Sequence, residues 1–331
     1  MKRIKIQPFM AVPRTVGLMA TLIVALAVIN PATTSAQEME FADELKQVTV
    51  VKITPSHVYQ QAQLIVGEVQ IIRQVMNADA SARTPGVQTD KRPIHVYAKS
   101  LEVMGKVART LSALGLTPPE IGSIPLHTVS PQEVYDSTQR ILRQLARIKS
   151  KLNITQKSVV PELTTGYTPS DVYEKVWLAS NLMDAVAGQV SPNLVYRNTM
   201  YVLAELDLIA SAANIQLEQS APAPLPGIGP KRVNLEGFMN LYRLANLERQ
   251  LGMPPLRVAN FPSGKITPAD VFDTTNTMLA ELARIKNSLG ISKFYSQVSP
   301  PKGKKPPDVL ANMRLIATQL RQLIESDQLR S

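Results

Sequence analysis

The chain has 331 residues, of which 44% are hydrophobic and 5% aromatic, so it is long enough to bury one large core or two ordinary ones. It contains no cysteine and 3 histidines, which excludes disulfide bonds, thiolate metal sites, a cysteine nucleophile and a histidine-rich metal centre. The formal net charge is +10 at pH 7.

The first 36 residues have the pattern of a cleaved secretory signal peptide. Basic residues without any acid occupy 1–14, an unbroken apolar run covers 16–29, and small residues precede a cleavage site after Ala36. At about 1.5 Å per residue, the apolar run is shorter than a bilayer core of about 30 Å. We therefore predict export, with a bacterial periplasm as the destination. A retained N-terminal anchor is the alternative.

Once the four basic residues of the signal are removed, the net charge is +6. We expect no later membrane span and no nucleic-acid partner.

Beyond residue 50 the sequence is built from repeats of equal length. Evenly spaced prolines mark them, at 55, 93, 131 and 169 and again at 192, 230, 268 and 306, which gives a repeat of about 38 residues. The second set of prolines follows the first at one constant offset, so that position 192 corresponds to 55 and position 306 to 169. At this offset, 12 of 25 positions are identical between 130–154 and 267–291. We predict a duplicated unit of four repeats at 54–189 and 190–331, after a lead-in at 37–53.

Each repeat predicts one helix of about 22 residues. A Ser or Thr N-cap precedes proline at the first helical position in five repeats, at Thr54, Ser130, Thr168, Ser191 and Thr267. The cap positions of the other three repeats hold Arg92, Gly229 and Lys305, so we expect weaker helix starts there. Residues that accept a left-handed conformation end six of the helices, namely Asn77, Gly115, Asn153, Asn214, Gly252 and Gly290.

Apolar residues within each helix follow a 4-3-4-3 spacing, which is typical of helix bundles. The connections, of about 14–16 residues, carry apolar side chains, so we expect them to pack on the helices. Their length allows successive helices to be parallel or antiparallel. The exception is the junction between the two halves, where 188–191 is so short that we predict an antiparallel helical hairpin. The predicted fold class is all-α: a tandem duplication of a four-helix unit, with eight helices, bundle-like packing and long packed connections.

An aromatic residue recurs at the fifth position of six helices, as Tyr59, Tyr97, Tyr135, Tyr173, Tyr196 and Phe272. These rings either pack under the adjacent connections or form a cluster that binds a peptide or glycan. Packing is favoured, because a repeat carries its structural residues in every copy.

Basic pairs stand before three helices, at Lys91 and Arg92, Lys231 and Arg232, and Lys304 and Lys305. Cations at the positive end of a helix dipole are unfavourable, so these side chains face either solvent or an anionic partner.

Five further residues stand out in the sequence. Asn240 and Gly237 interrupt the apolar stripe of the sixth helix, which indicates either a late helix start near Leu235 or a polar recess in which Asn240 faces a ligand. His57 and His95 occupy the third helical position, where a capping or surface role is a better explanation than metal binding. The single tryptophan, Trp177, is expected to fill the core or a groove.

No metalloprotease, nucleophile-elbow or phosphate-loop motif is present in the sequence, so we predict no catalytic, cofactor-binding or metal-binding residues. We expect a non-enzymatic, exported helical-repeat protein that acts as a binding or scaffolding module for a protein or an anionic envelope component. The alternative is a small-ligand-binding or sensory-type bundle, and an enzyme is the least favoured class.

Overall fold

Eight long α-helices make up most of the computed structural model, which describes residues 52–78, 86–296, 298–299 and 301–329. The predicted signal peptide at 1–36 and nearly all of the predicted lead-in lie outside these residues. No strand occurs in the described ranges, and a short 3-10 helix, Asp327–Leu329, follows the last α-helix. The helices are α1 (Pro55–Val75), α2 (Pro93–Ala113), α3 (Pro131–Lys151), α4 (Pro169–Ala187), α5 (Pro192–Ala212), α6 (Pro230–Gln250), α7 (Pro268–Ser288) and α8 (Pro306–Glu325).

The helix boundaries confirm the predicted duplication. Each of α5 to α8 begins at the same offset from its counterpart among α1 to α4, and three of the four also end at that offset. The six predicted helix-ending residues all have positive φ, between 50° and 74°. We call α1–α4 the first unit and α5–α8 the second unit.

Hydrogen bonds at the helix starts follow from the residues at the cap and third positions. Ser130 Oγ accepts from the Glu133 N–H at 3.3 Å, and the Glu133 carboxylate accepts from the Ser130 N–H at 2.9 Å. This reciprocal pair is the capping box that the sequence predicts.

Two of the three helix starts predicted to be weaker have a partner that the prediction overlooked. The Arg92 N–H donates to His95 Nδ1 at 2.9 Å, and the Lys305 N–H donates to Asp308 Oδ2 at 2.8 Å. A side chain at the third position therefore satisfies the first free backbone donor even where the cap residue is basic. His57 acts in the same way on α1.

Replacing Ser130 with alanine is expected to lower the free energy of unfolding by about 1 kcal/mol, because the α3 cap is lost. Ser191 provides the matched control, since its side chain accepts no cap hydrogen bond on α5. Urea denaturation of both alanine variants checks this. Equal losses in the two variants would contradict the assignment of the cap.

The four helices of the second unit are parallel. Their first residues surround one small cavity, which is lined by Pro192, Val195, Pro230, Val233, Pro268, Val271, Pro306 and Val309. All four helices therefore begin at the same end of the bundle.

The first unit has the same arrangement. The Tyr167 N–H, just before α4, donates to Ser56 Oγ at the start of α1, and the Lys91 N–H, just before α2, donates to Ser170 Oγ on α4. The starts of α1, α2 and α4 therefore lie together. The sequence left the direction of the helices open, and the structure shows that the long connections return the chain along the bundle.

Within the first unit, α1 packs against α3 and α4, and α2 packs against the same two helices. The helices of the second unit pair in the same way. Helices α4 and α5 do not pair with each other, so the prediction of an antiparallel hairpin at 188–191 is wrong. The two units contact each other through α2 and α7, where Ala280 and Ala283 join the core of the first unit. The first and second units together form one compact body, which begins at Ile53. No helix in the described part of the chain is long and apolar enough to cross a membrane.

Candidate functional site

A continuous series of charged side chains runs from α7 across α2 to α4, with its three central members buried and its two end carboxylates half-buried. The Lys99 ammonium contacts the carboxylates of Asp273 and Glu102, the latter at 2.7 Å. The Lys106 ammonium lies 3.3 Å from Glu102 and 2.6 Å from Asp184. Glu102 is 8% exposed and both lysines are 1% exposed. We call this series, Asp273–Lys99–Glu102–Lys106–Asp184, the ionic chain.

The pKa values within the ionic chain differ because the carboxylates have different neighbours. Burial opposes ionisation of Glu102, but the Lys99 and Lys106 ammonium groups hold its pKa well below the usual range. At the end of the chain, burial raises the pKa of Asp273 to about 7, although Lys99 acts in the opposite direction. The ionic chain has three carboxylates and two ammonium groups, so a proton at Asp273 brings its net charge close to zero.

A second buried group links α2 to α7 near the start of α2. His95 Nδ1 accepts the Arg92 N–H, so Nε2 carries the ring proton and donates to Glu281 Oε1 at 2.5 Å. Burial lowers the pKa of His95, which favours this neutral form. The Arg284 guanidinium contacts Glu281 and also donates to Glu248, and burial together with Glu281 raises the pKa of Glu248 to about 8.

His95 thus caps α2, as predicted from the sequence. It also joins the two units through Glu281, which the sequence did not indicate. No group of three or more His, Asp or Glu side chains in the described ranges is placed to hold a metal ion.

A cavity of about 570 Å³ lies between the two units beside the ionic chain. Helices α4, α6 and α7 line it together with the connections at 86–91 and 256–263. Its volume is within the range of about 300–1,000 Å³ that small-molecule sites occupy. The aromatic side chains of its wall are Tyr173, Trp177, Phe238 and Phe261.

Helical periodicity brings the lining side chains to one place. Tyr173 and Trp177 are four residues apart on α4, and Asp270, Asp273 and Thr277 share a face of α7. The Trp177 indole N–H donates to Asp273 Oδ2 at 2.5 Å, and Asp270 accepts from the Thr267 N–H at 2.7 Å. Both carboxylates of the wall are therefore engaged by the protein itself.

The structure does not gather the six recurring aromatic residues into one cluster. Tyr59 stacks on Tyr167, with ring centroids 3.6 Å apart, and Tyr196 lies under the Lys304 ammonium at 4.3 Å. Tyr173 lines the cavity. Tyr97, Tyr135 and Phe272 are buried or half-buried in their own repeats. This distribution agrees with the packing interpretation for the rings other than Tyr173.

The basic pairs have different environments. Lys91 lines the cavity, and the Arg92 guanidinium donates to the Pro254 carbonyl at 3.0 Å and lies 3.8 Å from Glu281. Lys304 is half-buried against Tyr196. The remaining three, Lys231, Arg232 and Lys305, are exposed.

Asn240 is fully buried inside the second unit and is not part of the cavity wall. Its Nδ2 donates to the Met313 carbonyl at 2.8 Å, and its Oδ1 accepts from Arg243 at 2.8 Å. Helix α6 is regular from Pro230 onward, so the expectation of a late start near Leu235 is wrong.

The burial of the ionic chain was not predicted from the sequence, because a charged residue on a helix is normally solvated. A signal was available in the comparison of the two units. Glu102 and Ala98 on α2 correspond to Met239 and Leu235 on α6, and such a difference between copies indicates different surroundings.

Comparisons of this chain with protein-family models, with curated proteins and with solved structures find no match.

Proposed function

We propose that this chain is an exported, non-enzymatic binding protein that holds a small organic molecule in the cavity between its two units. The observation that carries the proposal is the cavity of about 570 Å³, with four aromatic side chains in its wall and a few polar groups between them. The signal-peptide pattern at 1–36 supports export to a periplasm. Binding is favoured over catalysis because Asp270 and Asp273 are engaged in a helix cap and in the ionic chain.

Trp177 is the single tryptophan of the chain and lines the cavity, so its fluorescence reports directly on occupancy. We expect the neutral probe phenylnaphthylamine to bind saturably to the purified protein and to quench Trp177 by energy transfer. Replacing Phe238 with alanine should weaken this binding about tenfold, because an apolar wall of the site is removed.

Tyr242 gives the matched control for Phe238. It lies one turn further along α6, is 55% exposed and does not line the cavity, so Tyr242→Ala should leave the probe affinity unchanged. Absence of saturable binding, or equal affinities in the wild type and Phe238→Ala, would contradict the proposal.

A second candidate function, docking of a protein partner, is supported by one face of α6. Leu235, Met239 and Tyr242 lie four and three residues apart on this helix and are 42%, 47% and 55% exposed. An exposed apolar face of this kind is typical of an interaction surface. Crosslinking in cells from position 242 would favour this function if it captured one defined envelope protein and if phenylnaphthylamine did not bind.

A further inference from the structure

Among the described residues, every charged group around the cavity except one has a direct ionic or hydrogen-bonding partner. Asp273 contacts Lys99 and Trp177, and Asp270 caps α7. Arg257, at the rim, lies 3.3 Å from the carboxylate of Asp90. The wall carboxylates and the rim guanidinium thus have partners within the protein.

Lys91 is the exception. Its ammonium lies 4.7 Å from the centroid of the Tyr173 ring, and no carboxylate within the described part of the chain is within 4.0 Å of it. The neighbouring Lys99 is also cationic, and its ammonium group forms ion pairs with Asp273 and Glu102. The described part of the cavity wall therefore presents one ammonium group without a direct ion pair, next to aromatic surface.

Burial of Lys91, and then the charge of Lys99, lowers the pKa of the Lys91 ammonium to about 8. At pH 7 the group is still mostly protonated. The carboxylates of Asp273 and Glu281 favour the charged form of Lys91, but neither forms a direct ion pair with it. A largely desolvated cation without a direct ion pair is unfavourable, and a bound anion would supply that pair.

We propose that the cavity takes an organic anion with an aromatic or extended apolar body, whose carboxylate, sulfonate or phosphate group pairs with the Lys91 ammonium. The inference rests on the proposed binding function. The rings of Trp177, Phe238 and Phe261 would contact the apolar body. A cationic ligand is disfavoured, because the carboxylates that could receive it are already occupied.

Two probes with the same ring system test the charge preference. Anilinonaphthalene sulfonate carries a sulfonate that phenylnaphthylamine lacks, and binding of either is followed by energy transfer from Trp177. We expect the sulfonate probe to bind the wild-type protein about tenfold more tightly than the neutral probe. In Lys91→Met the ratio of the two affinities should fall to about one, and in Lys91→Arg the advantage of the sulfonate probe should persist.

Lys175 provides the matched control, because its ammonium also lies over a tyrosine ring, 5.6 Å from the Tyr59 centroid, but outside the cavity. Lys175→Met should preserve the sulfonate advantage. If the neutral probe binds but the sulfonate gives no advantage, or if Lys91→Met retains that advantage, the anion inference is wrong and the cavity assignment stands. If neither probe quenches Trp177, the proposed binding function fails and the anion inference fails with it.

Discussion

Replacing Glu102 with leucine is expected to lower the free energy of unfolding by about 3–5 kcal/mol at pH 7. The substitution removes the central carboxylate of the ionic chain and leaves Lys99 and Lys106, both fully buried, with one carboxylate each. Ser180 and Asn276 also lose the acceptor to which they donate. Urea denaturation followed by far-ultraviolet circular dichroism measures the difference from the wild type.

The pH dependence of this difference has a definite sign. The pKa of Glu102 is lower in the folded protein than in the unfolded chain, where it is about 4.3. Its contribution is therefore fully present above that value and is lost as the pH falls through the folded-state pKa. We expect the difference in stability between the wild type and the leucine variant to begin to shrink below about pH 4, and to shrink further as the pH falls toward the folded-state pKa.

Met239 is the counterpart of Glu102 in the second unit and is 47% exposed, so Met239→Leu serves as the control. This change should alter the unfolding free energy by no more than about 0.5 kcal/mol. A small loss for Glu102→Leu, similar to the control, would mean that the ionic chain is not needed for stability.

Replacing Gly237 with serine is expected to destabilise the protein by about 1–3 kcal/mol, because α6 and α7 approach closely at this position. A Cβ at Gly237 would lie 2.8 Å from Cγ2 of Thr274. The corresponding residues of the first unit are Ser100 and Ser137, whose hydroxyl groups are 2.6 Å apart. In the second unit the Thr274 methyl group therefore crowds the space beside Gly237 that the Ser100 side chain occupies in the first unit.

The double variant Gly237→Ser with Thr274→Ser recreates the pair of the first unit and should recover most of the lost stability. Serine at 274 keeps the hydroxyl that donates to Asn234 while removing the methyl group in the way. A double-mutant cycle measured by thermal unfolding gives the coupling between the two positions. Additive losses would show that the close contact does not explain Gly237.

The helices and their duplication could be predicted because the signals are local. A cap residue, a proline and a left-handed Asn or Gly each act within one turn, and together they specify boundaries that the structure confirms. The direction of the helices could not be predicted in this way. Within each unit the connections between helices are long enough for either direction, and the choice depends on how those connections pack. The short connection at 188–191 predicts a hairpin of α4 and α5, but these helices pack on their own units instead.

The cavity was beyond sequence reasoning for a different reason. Its wall combines segments 86–91 and 256–263 with three helices from both units, and no periodicity relates these pieces. Lys91 stands out in the sequence because a cation at a helix start is unfavourable, but nothing there relates it to Tyr173 or Trp177. Lys99 and Asp273 resemble surface residues in the sequence until α2 and α7 are known to be in contact.

The parallel bundle also affects how the chain folds. Helix α1 packs on α3 and α4, and α2 packs on the same two helices, so the stabilising contacts of the first unit join residues that are far apart in the chain. Proteins with many such long-range contacts fold more slowly than bundles in which successive helices pair. A nascent chain cannot close its first bundle until α4 has been synthesised. Such delayed closure would keep the polypeptide unfolded for longer during synthesis, which is compatible with the export that we propose.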